Sequence, residues 1–192
     1  MRPTSRRTLL LLGLAAAAAT ATATVLAANK AARQPGVTPI PTLDVPRYMG
    51  TWYEIAKYPN RFQKQCAGDT SASYRLLPDK TVEVVNRCRR ADGRVDDAVG
   101  SARQVGAADS PTLQVRFAPA WLSFLPAVWG DYWVIDLDPD YQLAAVSDPR
   151  REYLWILSRT PKVAPQAYAA LLERLARMGF DLGKLHLTPQ TS

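Results

Sequence analysis

The sequence predicts an all-β domain, a sandwich or a barrel, followed by one α-helix. Short runs of β-forming residues recur at fairly regular spacing between clusters of turn residues, which is typical of both architectures. Several runs alternate apolar and polar residues, so the sheet has one buried and one solvated face, as antiparallel sheets do. The length of 192 residues fits a single domain of this class.

Residues 1–27 are predicted to be an export signal. Arg2, Arg6 and Arg7 form a basic segment, and an uncharged stretch follows. The paired arginines also resemble a twin-arginine signal. An uncleaved membrane anchor is the alternative, because the stretch is long enough to span a bilayer. No cysteine follows the segment directly, so we expect a protein exported to the periplasm or secreted, without a lipid anchor.

Residues 28–43 are predicted to be a linker, because they contain Pro and Gly and no apolar periodicity. The folded domain is expected at 44–188, with a short tail at 189–192. The formal net charge of +7 includes the three arginines of the export signal. No nucleic-acid partner is expected, because the domain has no long run of Lys or Arg.

Eight strands are predicted within this domain. Turn residues separate them at 78–80, 91–93, 138–140 and 148–150, and a longer break covers 118–129. The predicted strands are 52–58, 70–77, 81–88, 97–105, 111–117, 130–137, 141–147 and 152–159.

The third and fifth strands alternate most clearly. The residues that share their apolar faces are Val82, Val84, Asn86, Leu113, Val115 and Phe117. An inward-facing Asn is costly unless it has a hydrogen-bond partner. A ligand or an ordered water inside a cavity would be such a partner, so Asn86 suggests a polar point in an otherwise apolar interior.

One amphipathic helix is predicted at 165–178. Pro165 suits a first helical turn, and Gly179 can end the helix. Five residues at helical spacing form its apolar stripe: Tyr168, Leu171, Leu172, Leu175 and Met178. The run 153–157 is apolar on both faces. We therefore expect the helix to cover the outer face of the eighth strand.

Three blocks resemble the signature regions of the lipocalin family, in particular the branch of the bacterial lipocalins and apolipoprotein D. They are GTWYEIA at 50–56, GDYWVI at 130–135 and YLWILSRTP at 153–161. The resemblance covers about 44–188. It implies an eight-stranded antiparallel up-and-down barrel with the C-terminal helix packed outside. A barrel of eight strands is just wide enough to hold one small ligand.

The resemblance also assigns residues to roles. Gly50, Trp52 and Arg159 are structural: the guanidinium of Arg159 should cover Trp52 at the closed end, a cation–π contact of about 1–2 kcal/mol. The predicted ligand-lining residues are Tyr74, Asn86, Phe117, Tyr132 and Trp155. Either Tyr132 or its neighbour Trp133 should face inward, and the sequence does not decide which. The aromatic members of this set have the alternative of filling a solid core.

The leading functional hypothesis is a non-enzymatic carrier or store for a small hydrophobic ligand in the cell envelope, such as a fatty acid or a lysophospholipid. Neither a metal nor a cofactor is expected, and no Ser/His/Asp set or phosphate-binding loop occurs. The one histidine, His186, lies near the C-terminus and is interpreted as a surface or last-strand residue rather than a catalytic base. A barrel filled by its own side chains is a further hypothesis.

Cys66 and Cys88 are the only cysteines and are expected to form a disulfide, as an even pair does in an exported protein. Folding back at residues 78–80 brings them together, and the bond would stabilise by about 3 kcal/mol. The alternative is that Cys88, which has inward parity, is the thiolate nucleophile of a lipocalin enzyme acting on a lipid.

The loops at 59–69, 89–96, 118–129 and 148–151 should surround the open end. They carry seven basic residues: Arg61, Lys64, Arg89, Arg90, Arg94, Arg150 and Arg151. Acidic residues offset much of this charge, but a basic rim would suit an anionic lipid. The loop at 118–129 is rich in Trp, Leu and Phe. Exposed apolar residues of this kind usually mark an interface, so membrane contact, a ligand lid and a homodimer are all open.

Overall fold

The computed structural model describes residues 36–191. The strands are β1 (Gly50–Lys57), β2 (Cys66–Leu76), β3 (Val82–Arg90), β4 (Val95–Gln104), β5 (Thr112–Arg116), β6 (Gly130–Leu137), β7 (Leu143–Ser147), β8 (Leu154–Ser158) and β9 (His186–Leu187). The α-helices are α1 (Val45–Tyr48) and α2 (Pro165–Arg177). Short 3-10 helices occur at Arg61–Gln63, Ala120–Leu122, Pro126–Val128 and Leu182–Lys184.

The first eight strands form a closed antiparallel barrel. Each pairs with the next along the chain, and β8 returns to pair with β1. All eight predicted strands are present, so the predicted fold class is confirmed. β7 begins two residues later than predicted because Asp138 accepts hydrogen bonds from the amides of Gln142 and Leu143, which holds that stretch in a turn.

β1 contains a bulge that changes which residues face the barrel. Glu54 pairs with Leu157, but the next pair is Ala56 with Ile156. Ile55 is therefore the extra residue, and the alternation shifts by one position beyond it. Trp52 and Glu54 face inward before the bulge, and Lys57, paired with the inward-facing Trp155, does so after it.

Helix α2 packs on the outside of the barrel, as predicted. Leu171 and Leu175 are fully buried against Leu154 and Ile156 of β8, and burial of a leucine side chain contributes about 1.5–3 kcal/mol. The helix is followed by Gly179, whose φ of +84° is in the left-handed region that glycine adopts without strain.

The segments on both sides of the barrel are packed against it. Residues 36–43, predicted as part of a linker, are irregular, but Val37 and Leu43 are buried and Ile40 donates a backbone hydrogen bond to Val134. The predicted export signal and the first part of the predicted linker lie outside the described residues. Within 36–191, no helix has the length and apolarity needed to cross a membrane.

The C-terminal residues fill a gap between β1 and β2. These two strands pair only from Gly50–Tyr53 to Ser71–Tyr74. Beyond that point β9 pairs with β1, and Asp69 donates its amide to the carbonyl of Pro189. The Gln190 side chain donates to the backbone carbonyls of Glu54 and Thr70. We call residues 186–191 the C-terminal seam, because they connect the two diverging strands.

Candidate functional site

Burial of the inward-facing side chains changes along the barrel axis. At the closed end they are buried in one cluster around Trp52. The strand residues of this cluster are Trp52, Tyr74, Val82, Val84, Ala102, Leu113, Val134, Ala144, Val146 and Leu157. This half of the barrel is therefore a packed core with little room for a ligand.

The open half has accessible inward-facing residues. Asn86 pairs with Ala98 and the next inward pair is Val84 with Gly100, so these side chains share the inner face. Asn86 is half-buried and Ala98 is exposed, whereas Val84 is 2% exposed. Val115 and Trp155 are also only partly buried. Solvent therefore reaches the inner face of the open half at these positions, and we call this accessible region the cup.

Three tyrosines form the floor of this cup. The hydroxyl of Tyr132 lies 2.9 Å from that of Tyr48 and 3.0 Å from that of Tyr74. Burial raises the pKa of Tyr74 to about 12 and the pKa values of Tyr48 and Tyr132 further, so all three are neutral at physiological pH. Trp133 packs with the outer core. Tyr132 is thus the inward residue of the pair that the sequence left undecided.

The predicted lining residues are brought together in two groups. Tyr74 and Tyr132 belong to the floor, and Asn86 and Trp155 belong to the accessible wall. Phe117 lies just beyond the end of β5 and is 46% exposed. A Cβ atom added to Gly100 would lie 2.8 Å from the Phe117 ring, so this glycine leaves the space that the ring occupies against β4.

The mouth of the cup contains a polar network that sequence reasoning missed. The indole of Trp155 donates to Gln63 Oε1 at 3.0 Å, and Gln63 Nε2 donates to Glu54 Oε2 at 2.6 Å. Glu54 is 3% exposed and also accepts from Lys57 Nζ at 2.8 Å and from Thr188 Oγ1 at 2.6 Å. Glu54 therefore joins the loop after β1, β1 itself and the C-terminal seam through its two carboxylate oxygens.

Of the residues that sequence reasoning missed in this polar network, only Glu54 could have been predicted to face inward. Glu54 is two residues after Trp52, so strand alternation alone gives it inward parity. Lys57 had no such signal, because the bulge at Ile55 reverses its expected face. Gln63 lies in a loop, where alternation predicts nothing about the direction of a side chain.

The two cysteines form a disulfide between the start of β2 and the end of β3. Cys66 and Cys88 have Cα atoms 5.5 Å apart. A half-cystine has no thiolate, so the alternative of a Cys88 nucleophile loses the group on which it depends. Within the described residues, no cluster of His, Cys, Asp and Glu side chains could hold a metal ion.

A family model for the lipocalin-like domain matches residues 43–190, which is most of the chain. The chain belongs to the lipocalin family. This agrees with the closed eight-stranded barrel, the outer helix and the position of Arg159 over Trp52, where the guanidinium carbon is 4.0 Å from the ring centroid.

Three relatives show the branch of the family to which this lipocalin is similar. Temperature-induced lipocalin-1 of Arabidopsis thaliana is 46% identical over 151 residues, 78% of this chain and 80% of that protein. The outer membrane lipoprotein Blc of Escherichia coli K12 is 38% identical over 161 residues, 83% of this chain and 86% of that protein. Apolipoprotein D of Mus musculus is 29% identical over 155 residues, 78% of each. The predicted resemblance to bacterial lipocalins and apolipoprotein D is confirmed.

The loop 117–129 of this lipocalin folds partly onto the outer wall. The ring centroid of Trp129 lies 4.1 Å from the guanidinium carbon of Arg103 and 5.3 Å from that of Arg116. Trp121 and Phe124 remain 73% and 74% exposed. The expectation of exposed apolar residues therefore applies to the middle of this loop and not to Trp129.

Most of the basic rim is neutralised by acidic neighbours. Four of the seven rim cations pair with carboxylates at 2.6–3.1 Å: Arg89 with Asp69, Arg90 with Asp96, Arg94 with Asp92, and Arg150 with Glu152. The guanidinium of Arg61 lies 4.9 Å from the Phe62 ring. Within residues 36–191, neither Arg61 nor Lys64 has a carboxylate within salt-bridge distance.

Proposed function

We propose that this lipocalin reversibly binds one small hydrophobic molecule, such as a fatty acid or a lysophospholipid, in the open half of its barrel. Lipocalins typically bind small hydrophobic ligands, and this chain has the fold and the signature residues of the family. The observation that carries the proposal is the change in burial along the inner face. The wall around Asn86, Ala98 and Trp155 is accessible, whereas the closed half is packed.

The chemistry of the cup supports an amphiphilic ligand. Its wall offers Val115, Phe117 and Trp155 as apolar contacts. Asn86 makes no side-chain hydrogen bond within the described residues, so its amide is free to pair with a polar group of the ligand. Ligand pockets are usually mostly apolar with a few polar groups that fix orientation. The tyrosine floor limits the depth that an acyl chain can reach.

The proposal includes a location and a contact surface. We infer that the protein acts outside the cytoplasm as a carrier or store, because residues 1–27 have the composition of an export signal. The exposed Trp121 and Phe124 suit contact with a membrane surface, where aromatic side chains bury readily. Co-sedimentation with phospholipid vesicles should be lost on Trp121→Ser/Phe124→Ser. Unchanged sedimentation together with loss of a dimer in ultracentrifugation would assign the loop to a homodimer instead.

A blocked cup tests the binding proposal. Ala98→Trp places a large ring on the accessible inner wall, whereas Val99→Trp places the same ring on the outer face, where Val99 is 64% exposed. Titration with a fluorescent fatty acid should give saturable binding to the wild type and to Val99→Trp. Ala98→Trp should lower the affinity at least about 10-fold. Equal affinities of the two variants, or no binding to the wild type, would contradict the proposal.

A further inference from the structure

We infer that a cationic cleft beside the barrel mouth binds the anionic head group of the ligand whose tail occupies the cup. The cleft has a volume of about 370 Å³. It lies between the loop after β1 and the β1–β9 pair. Its lining residues are Lys57, Pro59, Asn60, Arg61, Gln63, Lys64 and His186. The inference rests on the proposed function, because it names the chemical class of ligand at the same site.

The first argument is the charge of the lining. The cleft walls include Lys57, Arg61 and Lys64 and the single histidine of the chain, but no carboxylate. Glu54, beneath Lys57, balances that one lysine. Arg61 and Lys64 are two rim cations that have no carboxylate within salt-bridge distance in the described part of the chain, and both lie on this cleft. An anion bound here would supply the missing countercharge.

The second argument is the connection between the cleft and the cup. Gln63 lines the cleft, and its side-chain amide contacts Trp155 and Glu54 inside the barrel at 3.0 and 2.6 Å. Asn60 also lines the cleft and donates to Gln63 Oε1 at 2.7 Å. A bound ligand can therefore place its tail beside Trp155 and its head group beside Arg61, with Gln63 between the two.

A carboxylate and a phosphate share the chemistry that this cleft recognises, namely several acceptor oxygens with negative charge. Arg61 offers paired donors that suit either group, and Lys64 offers a point charge. A neutral amphiphile of equal length, such as an alcohol, would lack this interaction. The inference is therefore that the protein prefers anionic amphiphiles, fatty acids or lipid phosphates, over neutral ones.

The test uses two reporters on untagged protein. His186 lines the cleft and is the only histidine, so its imidazole NMR signal can be assigned without ambiguity and reports on this side of the barrel mouth. The indole N–H signal of Trp155 reports on the cup. Laurate, dodecyl phosphate, dodecanol and inorganic phosphate are titrated separately. Laurate and dodecyl phosphate should shift both signals, and dodecanol only that of Trp155. Inorganic phosphate should shift neither at matched concentration, because the tail supplies most of the affinity.

A charge-removal pair completes the test. Arg61→Gln/Lys64→Gln should lower the affinity for laurate about 10-fold, abolish the His186 shift and leave dodecanol binding unchanged. The matched control Arg90→Gln/Arg94→Gln removes the same charge from paired rim residues and should bind laurate like the wild type. If laurate shifts the Trp155 signal but not the His186 signal, the head-group site in the cleft is contradicted, whereas the proposed binding of a hydrophobic ligand in the cup still holds.

Two other results would also count against the inference. If neither laurate nor dodecanol shifts the Trp155 signal, the proposed function fails and the head-group site fails with it. If inorganic phosphate shifts His186 as strongly as dodecyl phosphate does, the cleft binds free anions and is not a head-group site.

Discussion

The guanidinium of Arg159 lies over the ring of Trp52, 4.0 Å from its centroid, and closes the narrow end of the barrel. The same side chain donates to the carbonyls of Arg47, Thr51 and Tyr141 at 2.9–3.2 Å. Arg159, the first residue after β8, therefore contacts three separate parts of the chain: α1, the start of β1 and the turn between β6 and β7. Trp52 is fully buried beneath it.

Arg159→Ala should lower the free energy of unfolding by about 3 kcal/mol, because it removes the cation–π contact and three charge-assisted hydrogen bonds. Arg159→Lys keeps the positive charge over Trp52 but lacks the planar guanidinium and its several donors, so it should lower the free energy of unfolding by less than Arg159→Ala does. Chemical denaturation measures both. Fatty-acid affinity should change little, since the contact lies at the closed end. An unchanged unfolding midpoint in Arg159→Ala would contradict the structural role.

Trp155→Ala should weaken fatty-acid binding about 10-fold with a modest loss of stability, because the residue lines the accessible cup and is only partly buried. Fluorescence titration and thermal denaturation measure the two effects. If Trp155→Ala mainly unfolds the protein while Arg159→Ala mainly abolishes binding, the assignment of cup and closed end is wrong.

Tyr132→Phe should destabilise by about 2–4 kcal/mol, because it leaves the buried hydroxyls of Tyr48 and Tyr74 without their shared partner. Tyr53→Phe is the matched control: Tyr53 is half-buried, so removal of its hydroxyl should cost little. Urea denaturation of the two variants gives the comparison. Equal stabilities would show that the tyrosine floor is held by packing alone.

The C-terminal seam should loosen in acid. Hydrogen bonds from Arg89 and Thr191 lower the pKa of Asp69 to about 2. Because this folded-state pKa lies below the ordinary value of about 3.8, the stabilisation is present above about pH 4 and is lost as the pH falls towards about 2. The protection of the amides of residues 186–191 against hydrogen exchange, relative to their intrinsic exchange rates at each pH, should therefore fall over that window.

Asp69→Asn should lower the protection of the C-terminal seam against hydrogen exchange already at neutral pH, and this protection should change little further in acid. The matched control is Asp97→Asn. Asp97 accepts from Arg87 at 2.8 Å, which also lowers its pKa, but it has no contact with the seam. If both variants behave alike, Asp69 does not hold the C-terminus.

The disulfide should raise stability by about 3 kcal/mol through the unfolded chain, since it joins positions 22 residues apart in sequence. Cys66→Ser/Cys88→Ser should lower the unfolding midpoint accordingly. A thiol assay on the native protein should find no free cysteine. Two rapidly alkylated thiols would contradict the disulfide and restore the enzymatic alternative.

The strand number, the outer helix and the family followed from sequence alone, because each depends on local periodicity and on short motifs. The alternation of Val82 and Val84 decides which face of β3 is buried. The doubly apolar run at 153–157 requires a cover, and the helix at 165–178 supplies it. The closed-end contact of Trp52 and Arg159 was also predictable, since both residues lie within signature blocks.

Tertiary structure alone decided the chemistry of the mouth. The bulge at Ile55 turns Lys57 inward, and a bulge depends on how β1 pairs with β8, not on the residues of β1. Gln63 reaches Glu54 and Trp155 from a loop, and the C-terminal seam fills a gap that exists only because β2 diverges from β1. Periodicity determines which residues share a face, whereas the distances between side chains on different strands and loops arise only when the barrel closes.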